Sequence, residues 1–201
     1  MLIGLGLGPG NPELLTLRAV RLLKEADTVF VPGKIAQDLV APYRDAVVLN
    51  FPMTGDELHI RACLEENAEK IAPAAANGLA VFGILGDPNF FSTFSRLSAL
   101  LTEKYPSIEY RTEPGISSIT AFAAAADISL NRGFIVSDGP IPESRILLKV
   151  KHPREKADEL RREGYREFVL VERMYFSDMK VYRDGDLPET SDYLSVMYAR
   201  R

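Results

Sequence analysis

The chain has 201 residues, of which 46% are hydrophobic and 26% are charged, and its formal net charge is −4 at pH 7. These values are typical of a soluble globular protein with one large or two small domains, and the acidic balance argues against nucleic acid as the main partner. No apolar run approaches the roughly 20 residues of a membrane span, and no cleavable signal is visible. The single cysteine, Cys63, is typical of a reducing compartment, so we expect a cytoplasmic protein with no membrane partner.

Apolar runs alternate with helical patterns in the first half of the chain. Strands are predicted at residues 2–7, 28–31, 47–51, 79–84 and 108–111. Helices are predicted at residues 16–26, 56–76 and 92–104. This regular alternation of strand and helix predicts an α/β domain with a mostly parallel sheet.

The second half of the chain has more strands and fewer helices. Strands are predicted at residues 134–136, 145–150, 167–171, 180–183 and 193–199. A helix is predicted from residue 117 or 118 to about 126, and another over 154–163 with Pro153 at its first position. The pattern predicts a mixed sheet. We place the boundary at Pro114-Gly115, which gives two α/β domains, 1–113 and 114–201, with a cleft between them.

A glycine-rich segment, Gly4-Leu5-Gly6-Leu7-Gly8-Pro9-Gly10-Asn11-Pro12, begins within the first predicted strand and forms the turn that ends it. The G-x-G-x-x-G pattern of dinucleotide-binding proteins needs a third glycine where Pro9 stands. The second strand ends at Val31-Pro32-Gly33-Lys34, which lacks the acidic residue that binds a ribose. An NAD-dependent oxidoreductase is therefore the weaker interpretation, and a tight strand-to-helix turn is the stronger one.

A second turn, within residues 83–94, follows the fourth predicted strand, and ligands of open α/β sheets bind at such strand ends. Asp87 either bonds nearby backbone amides as a turn residue or accepts a hydrogen bond from a ligand, and we favour the ligand. Phe90 and Phe91 are adjacent, so we expect one of them to line the pocket.

A third turn, within residues 113–118, precedes a predicted helix. Ser117 and Ser118 either cap that helix or hold a polar ligand, and spacing alone favours neither.

His59, Cys63 and Glu66 share one face of the long helix, which is compatible with a metal site. No matching ligand cluster occurs elsewhere in the sequence, so we favour a solvated helix edge and expect no protein-bound metal. No Ser-His-Asp order, nucleophile elbow or Walker A motif is present, and no catalytic side chain is assigned.

Three motifs, in this order, identify a family: residues 4–19, Gly86-Asp87-Pro88 and Pro114-Gly115-Ile116-Ser117-Ser118. With them the chain resembles the S-adenosylmethionine-dependent tetrapyrrole methylases. Phe51-Pro52-Met53 and residues 86–94 are similar to the branch that methylates C-20 of precorrin-2 or cobalt-factor II.

The resemblance implies two α/β domains, a homodimer, and S-adenosylmethionine folded into the cleft between the domains. By motif position it implies that the cofactor contacts include Pro9, Leu85, Gly86, Asp87, Phe90, Ser117 and Ser118. It places two further contacts on C-terminal strands, near Leu148 and near Met197, without a motif to anchor them.

The implied reaction moves a methyl group from S-adenosylmethionine to C-20 of a cyclic tetrapyrrole in cobalamin biosynthesis and leaves S-adenosylhomocysteine. The acceptor is cobalt-factor II or metal-free precorrin-2. Its carboxylates need basic side chains at the rim of the pocket, and the candidates are Lys34, Arg96, Arg132 and Lys149. For each candidate a solvated surface charge is the simpler interpretation. The alternatives are methylation of another corrin position or of uroporphyrinogen III, and a tetrapyrrole- or nucleotide-binding protein without activity.

Overall fold

The chain divides into two units, Met1–Gly133 and Phe134–Arg201, in a computed structural model that describes residues 1–131, 133–136 and 143–201. The division falls later than the predicted boundary at Pro114-Gly115. The segment around Gly115 packs closely on Gly6 and Gly86, so the residues after the predicted boundary continue the first unit.

The first unit contains a five-stranded sheet in the order β3-β2-β4-β1-β5, and every described pair in it is parallel. Its strands are β1 (Leu2–Gly6), β2 (Thr28–Val31), β3 (Ala46–Val48), β4 (Ala80–Ile84) and β5 (Tyr110–Glu113). Every residue of β1 and β4 is buried, as expected for central strands covered on both faces. The predicted parallel α/β sheet is confirmed.

Helices cover both faces of this sheet. They are α1 (Leu17–Glu25), α2 (Lys34–Val40), α3 (Glu57–Asn77) and α4 (Thr93–Lys104). A fifth helix, α5 (Ser118–Ala125), follows β5 and has no buried residue. The side chains of Thr16, Asp56 and Ser92 cap α1, α3 and α4 by accepting from backbone amides. Helix α2 was not predicted, because it is short and begins after Gly33 without a side-chain cap.

Neighbouring residues of the central strands belong to different core clusters, as the period of a strand requires. Leu2 and Phe82 pack with the apolar residues of α3 and α4. Ile3 and Val81 pack with the apolar residues of α1 and α2. The sheet is therefore held from both sides, and its strand ends form a fixed base for the turns that follow them.

The second unit contains a four-stranded sheet in the order β6-β9-β7-β8. Its elements are β6 (Ser144–Leu148), α6 (Pro153–Arg162), β7 (Glu167–Glu172), β8 (Lys180–Arg183) and β9 (Ser195–Arg200). The predicted mixed sheet is corrected, because every described pair is antiparallel. Strands β6 and β7 run in the same direction, but β9 lies between them and separates the two strands that would have formed a parallel pair.

The strand predicted at residues 134–136 is not formed. Helix α6 packs Ala157 and Leu160 against Phe168 and Met197 in the core of this unit. Over the described residues, no helix combines the length and the apolar character needed to cross a membrane.

Candidate functional site

Three turns meet at the carboxyl ends of three adjacent strands, β4, β1 and β5. The first turn follows β1, the second follows β4 and the third follows β5. Gly8 of the first turn and Gly86 of the second form an isolated antiparallel bridge. The Gly86 amide donates to the Gly8 carbonyl at 2.7 Å, and the Gly8 amide donates to the Gly86 carbonyl at 3.3 Å. The first two turns are therefore joined backbone to backbone.

The third turn packs directly on the other two. A Cβ atom on Gly6 would lie 2.3 Å from the amide nitrogen of Gly115. A Cβ atom on Gly115 would lie 2.3 Å from the carbonyl oxygen of Gly86. Because backbone atoms cannot yield as a flexible side chain does, this approach requires glycine at both positions.

Asp87 joins the second and third turns through its carboxylate. The residue is only 8% exposed. Its Oδ1 accepts from the amide of Asn89 at 2.9 Å, and its Oδ2 accepts from the amide of Gly115 at 3.2 Å. The structure thus shows the turn role, which the sequence favours less than the binding of a ligand. A carboxylate accepts about four hydrogen bonds, so Asp87 keeps acceptor capacity for a ligand.

A second buried carboxylate lies at the base of the third turn. Glu113, the last residue of β5, is 4% exposed. Its Oε1 lies 2.8 Å from Nη2 of Arg18 and 3.6 Å from Nε of Arg111. Sequence reasoning missed the pair with Arg18, because no local pattern links residues so far apart in the chain.

Apolar side chains are exposed beside these turns. Leu85, Phe90 and Phe91 are 38%, 43% and 61% exposed. Neither phenylalanine is buried in the core, so both are available to a ligand. Pro9 is exposed on the first turn.

The two predicted serines lie at the start of α5. Ser117 is half-buried and caps the helix, because its Oγ accepts from the amide of Ile119 at 3.3 Å. Ser118 is exposed, and its amide nitrogen lies 3.9 Å from the position that a Cβ on Gly86 would take. The start of this helix therefore lies next to the second turn. The structure brings together all seven of the motif-based cofactor residues.

The two cofactor residues predicted without a motif lie in the second unit. The Met197 side chain is fully buried in the core of that unit, whereas Leu148 is 69% exposed at the end of β6. Leu148 and Lys149 line a surface pocket of about 360 Å³, together with Leu147, Val150, Lys151, His152, Glu155, Lys156 and Glu159.

Three of the four predicted rim cations have local partners at the surface. Lys34 pairs with Asp38 on α2, and the Arg96 Nη2 lies 2.8 Å from Oε2 of Glu57. The Lys149 Nζ lies 5.1 Å from the centre of the Tyr193 ring. Arg132 lies outside the described residues. Their role toward a substrate stays a prediction.

Histidine and cysteine of α3 lie near each other without forming a ligand cluster. The His59 Nε2 is 3.9 Å from the Cys63 Sγ. Across the part of the chain that the structure describes, no group of three or more His, Cys, Asp or Glu side chains could hold a metal ion.

Known proteins are similar to this one over most of the chain. The family model of the tetrapyrrole (corrin/porphyrin) methylases matches residues 1–183. A relative from Methanocaldococcus jannaschii, named a probable cobalt-precorrin-2 C(20)-methyltransferase, is 33% identical over 98% of this chain and 95% of its own length. A precorrin-2 C(20)-methyltransferase from Sinorhizobium is 29% identical over 66% of this chain and 60% of its own length.

The fold also matches a solved structure. A crystal structure of a cobalt precorrin-4 methyltransferase superposes with a TM-score of 0.53 at 21% identity, covering 99% of this chain and 94% of that one. At this identity the likeness concerns the fold alone. The chain therefore belongs to the tetrapyrrole (corrin/porphyrin) methylases, as its three turn motifs predicted, and methyl transfer is its chemistry.

Proposed function

We propose that this enzyme transfers the methyl group of S-adenosylmethionine to C-20 of cobalt-bearing precorrin-2 in cobalamin biosynthesis. The observation that carries the proposal is the similarity to the M. jannaschii relative, which extends over nearly the whole length of both chains. Phe51-Pro52-Met53 and residues 86–94 support the same branch of the family.

The three joined turns of the first unit are the proposed methyl-donor site. Gly86 has a φ of +72°, and the nearest atom to a Cβ placed on it would be 3.9 Å away, so there is room for a ligand above this turn. The exposed Leu85 and Phe90 offer an apolar and aromatic surface, which suits a sulfonium cation. Asp87 offers its remaining lone pairs to a hydroxyl or ammonium group. Pro9, Ser117 and Ser118 complete the proposed contacts of the first unit.

The reaction depends more on the alignment of the two reactants than on activation of either one by the protein. The bound donor supplies an activated methyl group on positive sulfur, and displacement by the acceptor carbon leaves S-adenosylhomocysteine and releases the C-20 proton. The protein's task is to hold acceptor carbon, methyl and sulfur in line, and such alignment lowers a barrier by about 7–11 kcal/mol. Turns fixed by close backbone contacts are suited to this task, because such contacts leave the backbone little freedom to move.

The acceptor is a flat macrocycle with carboxylates around its edge. In a chain of net charge −4, local basic side chains are needed to attract it. Lys34, Arg96, Arg132 and Lys149 are the proposed partners of those carboxylates. A cytoplasmic homodimer belongs to the same proposal, and sedimentation at several protein concentrations tests the dimer.

Mass spectrometry of the product tests the function. The enzyme is incubated without oxygen with S-adenosylmethionine and either cobalt-bearing or metal-free precorrin-2. One added methyl group on the cobalt form, located at C-20 by NMR, supports the proposal. Methylation of the metal-free form alone reverses the choice of acceptor. Transfer to another position, or binding of the donor without transfer to any tetrapyrrole, contradicts the proposal.

A further inference from the structure

An ion pair at the base of the donor site links two segments that are far apart in sequence. Arg18 lies in the first turn of α1, and a short 3-10 helix at Pro12–Leu14 connects the first glycine turn to this helix. Glu113 directly precedes Pro114 and Gly115 of the third turn. The Arg18 Nη2 donates to the Glu113 Oε1 at 2.8 Å. The pair therefore joins the segment that leaves the first turn to the segment that enters the third.

The burial of Glu113 makes this pair more than a surface contact. Its side chain is 6% exposed, whereas that of Arg18 is 46% exposed. A carboxylate withdrawn from water is costly unless its oxygens are paired, so its neighbours are constrained to stay in place. An exposed pair such as Arg21–Glu25 on the same helix carries no such constraint.

Arg111 provides an internal contrast. Its Nε lies 3.6 Å from the same Glu113 oxygen. However, Arg111 and Glu113 are two residues apart on β5, where alternate residues share a face. Their contact adds positive charge near Glu113 but ties no second segment to the third turn.

The third turn is consequently held on two sides. Glu113 anchors its entry to α1, and the Gly115 amide donates to Asp87 of the second turn. Loss of the Arg18 contact would remove one of these anchors, while the pairing of Glu113 with Leu5 would keep β5 in the sheet. The backbone of Gly115 and the start of α5 can then shift relative to the first turn.

We propose that Arg18 and Glu113 are positioning residues of the methyl-donor site, which fix the third turn against the first without touching the ligand. This inference rests on the proposed function of the three turns. It predicts that the interaction between the two side chains governs donor affinity and not only stability.

Titration calorimetry with S-adenosylhomocysteine tests the inference, because it needs no tetrapyrrole. The variants are Arg18→Gln, Glu113→Gln, their double mutant, Arg18→Lys as the conservative change, and Arg111→Gln as the matched control. Urea unfolding of each variant in the absence of ligand separates affinity from stability. KM for the donor and kcat are measured alongside.

We expect Arg18→Gln and Glu113→Gln each to weaken binding about tenfold, and the double mutant to weaken it no further, as for residues of one ion-pair network. Arg18→Lys should recover part of the lost affinity. Arg111→Gln should bind within about twofold of the wild type. In the Arg18→Gln and Glu113→Gln variants, the KM for the donor should rise by a larger factor than kcat falls.

If Arg18→Gln and Arg111→Gln weaken the binding of S-adenosylhomocysteine equally, the inference is overturned. Positive charge near Glu113, and not the connection between α1 and the third turn, would then govern affinity. Reduced stability with unchanged affinity of Arg18→Gln would overturn it as well. If Glu113→Gln does not fold, Arg18→Gln and Arg18→Lys decide alone. A wild-type protein that does not bind S-adenosylhomocysteine would defeat the proposed function, whereas normal wild-type binding with unaffected variants defeats only this inference.

Discussion

The turn after β4 and the connection after β7 each place one aspartate beside exposed aromatic side chains, but they are held in different ways. In the first, the buried Asp87 accepts from the amide of Gly115, which lies 28 residues away. In the second, Asp178 is exposed and pairs with Arg173, five residues away. A carboxylate that bonds a distant backbone amide fixes the tertiary arrangement, whereas one that bonds a nearby side chain orders only its own loop.

The two segments also use different residues for left-handed backbone. In the first two turns Gly8 and Gly86 adopt this conformation, which glycine tolerates without a steric cost, and Phe91, a non-glycine residue of the second turn, adopts it as well. After β7, Arg173 and Tyr175 adopt it with φ values of 49° and 65°. The turns of the proposed donor site are therefore held by contacts with distant parts of their unit, whereas the connection after β7 is held by its own residues.

The largest effect should come from the close backbone approach between turns. Gly6→Ala would place a Cβ against the amide of Gly115, and we expect it to lower the free energy of unfolding by about 3 kcal/mol. Gly55→Ala is the control, because nothing lies within 4 Å of a Cβ at Gly55. Urea unfolding measures both, and equal stability of the two variants would show that the turns separate easily.

The next effect concerns the two aspartates. Asp87→Asn keeps the shape of the side chain but replaces an acceptor with an amide donor, which faces an amide of the backbone. We expect a loss of about 1–3 kcal/mol in unfolding free energy and weaker donor binding. Asp178→Asn, the control, should leave donor binding unchanged. Wild-type donor affinity in folded Asp87→Asn would remove Asp87 from the proposed site.

A smaller gain is expected from relief of strain at Phe91, whose φ is 49° and whose side chain is 61% exposed. Phe91→Gly should stabilise the protein by about 0.5–1 kcal/mol, the difference between left-handed strain and the backbone entropy of glycine. Phe90→Gly is the control, because Phe90 is not among the residues with positive φ. Thermal unfolding without ligand measures both, and a loss at Phe91 equal to that at Phe90 would contradict this account.

The smallest effect is the pH dependence of the pair after β7. The hydrogen bond from Arg173 holds the pKa of Asp178 below its ordinary value. A lowered pKa in the folded state stabilises the fold above the ordinary pKa, and this stabilisation disappears as the pH falls through the lowered value. Asp178→Asn should therefore be slightly less stable than the wild type at pH 7 and should match it in strong acid. If the stability difference between Asp178→Asn and the wild type grows as the pH falls, the predicted sign of the effect is wrong.

The parallel sheet and the three turns could be predicted from sequence because their signals are local. Glycines, prolines and apolar runs mark each strand end, so Gly86, Asp87 and Ser117 could be assigned to turns before their neighbours were known. No local signal in the sequence predicts that β9 lies between β6 and β7, because the pairing of these strands joins residues that are far apart in the chain. The pair between Arg18 and Glu113 was missed for the same reason, and α2 was missed because Gly33 provides no side-chain cap.

The position of β1 within its sheet has a consequence for synthesis of the chain. Strand β1 pairs with β4 on one side and β5 on the other, and both partners follow it by more than 70 residues along the sequence. During synthesis both edges of this apolar strand stay unpaired until translation has passed Ile84, and one edge stays unpaired until it has passed Glu113. Such a segment is open to mispairing in the meantime. Newly made chains should therefore depend on chaperones during this interval more than the finished sheet would indicate.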